Sequence, residues 1–101
     1  MKKKNIVILG CTGSIGDSSL KVIRHLKDQF NVIGVAGGRR FQKVADFATE
    51  TNSHYASISD DSSFAEFQKA LPTSCEALVG EEGMIKMCTD PDVDMVLCGI
   101  V

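Results

Sequence analysis

Apolar positions in this chain gather into short runs separated by polar, glycine-rich breaks. Residues 5–9 (Asn-Ile-Val-Ile-Leu) form a β-branched run without polar alternation, the pattern of a parallel strand buried on both faces. Residues 31–36 (Asn-Val-Ile-Gly-Val-Ala) repeat that pattern and end at Gly37-Gly38. Tyr55 to Ile58 predicts a brief third strand, Glu76 to Val79 a short fourth, and Met95 to Val101 a last one that is apolar throughout. Helical spacing fills the intervals. Leu20, Ile23 and Leu26 share one stripe, with Phe30 four residues beyond. Val44, Phe47, Ala48 and Thr51 predict a helix over about 41–51. Ser59 to Ser63 supplies capping side chains, Glu66 sits in the following first turn, and Phe64, Phe67 and Leu71 mark a helix closed by Pro72. Met84, Met87 and Cys88 lie on one face of a helix over 81–88, broken by Asp90-Pro91-Asp92. Regular alternation of continuous apolar strands with helices predicts an α/β fold, a doubly wound parallel sheet with helices on both faces.

Composition adds limits. The chain has 101 residues, 44% hydrophobic and 24% charged, which suits one domain with one real core and excludes disordered and low-complexity classes. Thirteen acids against eleven bases leave a net charge of −2, so no global basic field points to a nucleic-acid partner. Cys11, Cys75, Cys88 and Cys98 include no C-x-x-C pair, and only two histidines are present, which speaks against zinc. Cys88 and Cys98 fall in segments that read as core helix and core strand. The run after Met1-Lys2-Lys3-Lys4 stops at Gly10, short of the about 7–15 apolar residues of a signal peptide and the about 20 of a membrane span. The expectation is no membrane, a cytoplasmic location and reduced thiols. Because residues 97–101 end inside an apolar strand, the chain is expected to be a truncated piece of a longer protein.

The chemistry gathers in Gly10-Cys11-Thr12-Gly13-Ser14-Ile15-Gly16, a G-x-x-G-x-x-G pattern between a predicted strand and a predicted helix. That is the setting a dinucleotide fingerprint requires. Gly10 permits the turn out of the strand, Gly13 lets the backbone approach a pyrophosphate, and Gly16 lets the helix pack close to the sheet. N–H groups of the first helical turn then face the phosphates, with the hydroxyls of Thr12 and Ser14 beside them. A turn that binds nothing is the competing explanation. The second strand selects the nucleotide. An NAD site usually has an acid about 20 residues past the motif, on the ribose 2′-hydroxyl. Here that place holds Gly37-Gly38-Arg39-Arg40, and the nearest acids are Asp28 and Asp46. Guanidiniums can hold a 2′-phosphate through charge-assisted, bidentate hydrogen bonds. The expected cofactor is NADP(H), with NADPH as the reduced form. His25 and His54 read as surface or capping residues, and Cys11 as a small turn residue with no base beside it.

These segments together resemble the 1-deoxy-D-xylulose 5-phosphate reductoisomerase family. Residues 10–16 are close to that family's GSTGSIG motif. Lys21-Val22-Ile23-Arg24-His25 is similar to its first helix, and Val35-Ala36-Gly37-Gly38-Arg39-Arg40 to its second strand and loop. Asp92-Val93-Asp94 through Ile100-Val101 is similar to its D-V-D…A-I-V segment. Cys11 stands where the family commonly has Ser. The loop departs from A-G-K/R-N, with Gly37 for Ala and Arg40 for Asn.

The resemblance implies a Rossmann-type NADPH-binding domain. Its enzyme rearranges and reduces 1-deoxy-D-xylulose 5-phosphate to 2-C-methyl-D-erythritol 4-phosphate in non-mevalonate isoprenoid synthesis. It implies Thr12, Gly13, Ser14 and Ile15 around the pyrophosphate and nicotinamide half, and Gly38, Arg39 and Arg40 on the 2′-phosphate side. It further implies a divalent metal (magnesium, manganese or cobalt) held only by a domain beyond Val101, and a homodimer at full length. No catalytic residue or metal ligand is assigned within these 101 residues, and the chain alone is expected to be inactive. Two other readings stay open: another NADP-dependent oxidoreductase of semialdehyde-dehydrogenase type, and a non-enzymatic nucleotide-sensing module.

Overall fold

The computed structural model describes residues 3–10, 18, 21–22, 24–25, 28–38 and 40–98. Strand β1 (Lys4–Leu9) is followed by β2 (Phe30–Ala36), helix α1 (Phe41–Thr51) and β3 (Tyr55–Ile58). Then come a 3-10 turn (Asp61–Ser63), α2 (Phe64–Ala70), β4 (Glu76–Val79), α3 (Gly80–Cys88) and β5 (Met95–Cys98). Between β1 and β2, Ser18, Lys21, Val22, Arg24 and His25 are helical; the Leu20-Ile23-Leu26 stripe lies outside the described residues. Phe30, expected to extend that stripe, instead opens β2 and packs against the core.

The five strands are all parallel, in the order β4-β3-β2-β1-β5. The chain steps outward from β1 to β4, then crosses back to lay β5 on the other side of β1. That reversal is the topological switch point of a doubly wound sheet. One face carries α1 and α2. Val44, Phe47 and Ala48 of α1 and Phe67 of α2 pack there on Ile6, Ile8, Val32, Val35 and Ile58. The other carries α3, whose Met87 packs with Val7, Leu9, Ile33 and Ala36.

A bulge in β2 makes this two-sided burial possible. Ile6 pairs with Val32 and Val7 with Gly34, so Ile33 is an extra residue with no partner in β1. Strict alternation would set Ile33 and Val35 on one face. The bulge sends Val32 and Val35 to the first core and Ile33 and Ala36 to the second. It also turns Gly34 toward α3, where a Cβ would lie 2.5 Å from Met87 Cγ. Gly83 plays the matching part on the helix, since its Cβ would come within 2.8 Å of Leu78 Cβ and 2.9 Å of Ser57 Oγ.

Polar side chains hold the amino-terminal edge of the sheet. Asp94 Oδ2 accepts from the Asn5 backbone N–H (2.7 Å), and Asn5 Nδ2 donates to the Asp92 carbonyl (2.9 Å). The Asp94 N–H returns a bond to the Asn5 carbonyl (2.8 Å), so the Asp92-Val93-Asp94 segment sets the register of β5 on β1. Beside it, Tyr55 donates its phenolic hydrogen to Asp90 Oδ2 (2.7 Å), and Asp90 Oδ1 accepts from the Asp92 N–H (2.8 Å).

The last strand departs from expectation. Met95, Val96 and Cys98 are exposed and Leu97 only partly buried within these 101 residues, where β5 lies at the edge of the described sheet. Its apolar sequence implies cover on both faces, but among the described residues only β1 lies beside it. Gly99, Ile100 and Val101 lie outside the described residues.

Two measurements check this account. Gly80 sits at φ +70° with nothing within 4 Å of a would-be Cβ, so Gly80→Ala costs backbone strain alone. The expected loss is about 1–2 kcal/mol in urea denaturation, and no loss would contradict the left-handed turn. The Tyr55–Asp90 bond makes stability depend on pH at both extremes. The Asp92 N–H and then the Tyr55 hydroxyl hold the Asp90 carboxyl below the usual range, so its contribution is present above about pH 4 and fades as acid protonates it. The Asp90 bond, then burial, raise the Tyr55 phenol, so its contribution is present below about pH 10 and fades as the phenol ionises. Tyr55→Phe should lessen the alkaline decline, the buried Cys75 thiol supplying another part of it, and unchanged alkaline unfolding would refute the assignment.

Candidate functional site

Open parallel sheets bind ligands beyond the carboxyl ends of their strands, around the point where strand order reverses. Here that edge begins at Gly10, which leaves β1 at φ +81°, a conformation suited to glycine, and donates its N–H to the Ala36 carbonyl at 2.8 Å. The next corner is stitched the same way. Gly37 N–H donates to the Ser57 carbonyl (2.9 Å), and Ser59 N–H donates to the Gly38 carbonyl (3.4 Å). The exits of β1, β2 and β3 are therefore fixed against one another by backbone bonds.

Arg40 stands at the N-cap of α1, exposed, and its carbonyl accepts from the Val44 N–H (3.2 Å). No side chain caps this helix and its first turn has no acid. An arginine at the N-terminus of a helix whose first turn carries no acid makes a positive corner, which favours an anion and is mildly costly without one. Gly38 lies in the same corner, and the nearest neighbour a Cβ there would meet is Ser59 Oγ at 3.9 Å. The structure thus places Gly38 against the exit of β3 and Arg40 at the start of α1. Thr12, Gly13, Ser14, Ile15 and Arg39, with Cys11 and Gly16, lie outside the described residues.

A cleft of about 530 Å³ opens beside this corner, on the α3 face. Gly37, Ser57 and Ser59 form one wall, and Glu81, Met84 and Ile85 the other. Sequence reasoning did not reach this wall: Ser59 reads as one of a run of capping residues, whereas the cap itself is Asp60, whose Oδ1 accepts from the Ser62 N–H (3.0 Å). A second cavity, about 600 Å³, lies among polar side chains including His54, Gln68 and Glu76 at the opposite end of the sheet.

Other candidates for chemistry stay apart from the cleft or are blunted. His25 and His54 are exposed, in keeping with a surface role. Cys75 is buried, and that burial, with Glu76 nearby, pushes its thiol up to about 11. Burial likewise raises the Cys88 thiol. Among the described residues no group of three or more His, Cys, Asp or Glu is placed to hold a metal ion, and no helix is long and apolar enough to cross a membrane.

The fold and this edge define a doubly wound α/β domain of Rossmann type. Residues 6–101 match the family model described as 1-deoxy-D-xylulose 5-phosphate reductoisomerase, and the chain belongs to that family. It is 38% identical over 101 residues to the 1-deoxy-D-xylulose 5-phosphate reductoisomerase of Haemophilus ducreyi, covering 97% of this chain and 26% of that protein. It is 41% identical over 100 residues to the same enzyme of Francisella tularensis subsp. novicida, covering 99% and 26%. Its structure is similar to that of the Zymomonas mobilis enzyme in complex with NADPH, with a TM-score of 0.90 and 31% identity over 98% of this chain and 26% of that one. The chain therefore spans about a quarter of the length of these relatives.

Thiol chemistry follows from the burial pattern. In native protein at pH 7.5, Cys98 should react with an aromatic disulfide reagent while Cys75 stays protected until the chain unfolds. Mass mapping of the labelled peptides checks this, and early labelling of Cys75 would contradict its burial.

Proposed function

We propose that this chain is the NADP(H)-binding part of a 1-deoxy-D-xylulose 5-phosphate reductoisomerase. The family match across residues 6–101 carries the reading, supported by the similar Zymomonas mobilis structure in complex with NADPH. The open corner at Gly38, the cationic N-cap at Arg40 and the positive-φ exit at Gly10 all fit a dinucleotide phosphate.

Thr12, Gly13, Ser14 and Ile15 are assigned to the pyrophosphate and the nicotinamide half, with backbone N–H groups toward the phosphates. Gly38, Arg39 and Arg40 are assigned to the 2′-phosphate, where charge-assisted hydrogen bonds select it over a bare hydroxyl. Bound NADPH supplies hydride for a carbonyl reduction, and the chain's own contribution is to bind and orient it. A divalent metal and the substrate phosphate would be held by the length of the relatives that these 101 residues do not span, so the chain alone is expected to be inert. A related solved structure, 30% identical, is a complex with NADPH, fosmidomycin and magnesium. A homodimer and a cytoplasmic location belong to the same proposal.

The test is a fluorescence titration with NADPH and NADH. Arg39→Ala should lose about 1.5–3 kcal/mol of charged hydrogen bonding, roughly 10- to 150-fold in NADPH affinity, with little change for NADH. Equal losses for both would refute the 2′-phosphate assignment. Oxidation of NADPH by the isolated chain with 1-deoxy-D-xylulose 5-phosphate and magnesium would refute its inertness.

A further inference from the structure

We infer that Cys88 and Cys98 form a redox pair, a disulfide clamp between α3 and β5 that a low-molecular-weight disulfide can close.

The pairing follows from the register of the sheet. Paired residues of parallel neighbours share a face: Ile8 lies opposite Leu97, and both belong to the core on the side of α1 and α2. Cys98, one residue on, pairs with Leu9 and so takes the other face, the one that α3 covers. Cys88 ends α3 and packs on the cluster that contains Leu9. The two thiols therefore share one face, around Leu9. Burial, and then the nearby Cys98, raise the Cys88 thiol. Cys75 takes no part, because it lies in the core on the opposite face.

The connection between the two cysteines is already held. Tyr55 bonds Asp90, and Asn5 bonds Asp94, so the chain from α3 to β5 is fixed against the sheet before any covalent bond forms. A fixed approach makes the closing step intramolecular and fast.

Access sets the order of events. Within these 101 residues Cys98 is exposed and Cys88 half-buried, so Cys98 meets the oxidant first. Its thiolate attacks one sulfur of the small disulfide, the S–S bond of the reagent breaks, and one small thiolate leaves. Cys88 then gives its proton to solvent and attacks the Cys98 sulfur of the mixed disulfide, and the second small thiolate leaves. The two protein sulfurs are oxidised by two electrons, and the reagent is reduced to two thiols. An excess of small thiol reverses both steps.

The experiment treats the native 101-residue chain with an aromatic disulfide reagent at pH 8, quenches it in acid at intervals and weighs the tryptic peptide of residues 87–101, which holds both cysteines. An adduct on Cys98 should appear first and then give way to a peptide two hydrogens lighter than the reduced one. In Cys88→Ser the Cys98 adduct should persist. The closing step should be at least about tenfold faster in the native chain than in the same chain unfolded in urea, where only chain diffusion brings the sulfurs together. That comparison uses the wild-type chain alone and does not depend on any variant folding. A Cys98 adduct that persists in the native wild-type chain would overturn the clamp. So would a closing step no faster than in urea, or a Cys98 found joined to Cys11 or Cys75 instead.

Discussion

The close seating of α3 on the sheet is the constraint on which the rest of this structure turns. Met87 is fully buried over Gly34, and Gly83 is pressed against Leu78 and Ser57. At either glycine, a Cβ would fall within 3 Å of a neighbouring atom. A helix held at this distance covers Val7, Leu9, Ile33 and Ala36, and so creates the second core. The same seating carries the chain under the sheet from β4 to β5. The strand order therefore reverses beside β1, and that edge becomes the place for a ligand.

The bulge at Ile33 is the other half of this arrangement. A regular β2 would send Ile33 and Val35 to the same face. The extra residue gives each layer its share of large side chains and frees Gly34 to meet Met87. Local irregularity in β2 thus lets α3 pack close against Gly34.

Electrostatics divides the two ends of the sheet. At the amino-terminal edge, Asn5 with Asp94 and Tyr55 with Asp90 satisfy one another, leaving a register clasp rather than a reactive group. At the carboxyl-terminal edge the Arg40 corner has no acid in the first turn of α1, and the Glu81 carboxylate lies across the cleft from the exit of β3.

Much of this was legible in residue order. Runs such as Ile6 to Leu9 and the spacing of Val44, Phe47 and Ala48 carry their own periodicity, because strands and helices bury faces at fixed intervals. The glycine motif and Arg39-Arg40 read as a site for a phosphate-bearing nucleotide by residue type alone, and Cys11 to Gly16 and Arg39 lie outside the described residues. Phe30 was harder, since one apolar residue at a boundary fits either period. Tertiary structure alone decided the exposure of Met95, Val96 and Cys98, because an edge position depends on which strand becomes the neighbour and not on the strand's own composition. It alone decided the bulge and the cleft as well. Ile33 becomes the unpaired residue of the bulge, and Ser59 and Glu81 come to line one cleft, only when β2, β3 and α3, distant in the chain, are brought together.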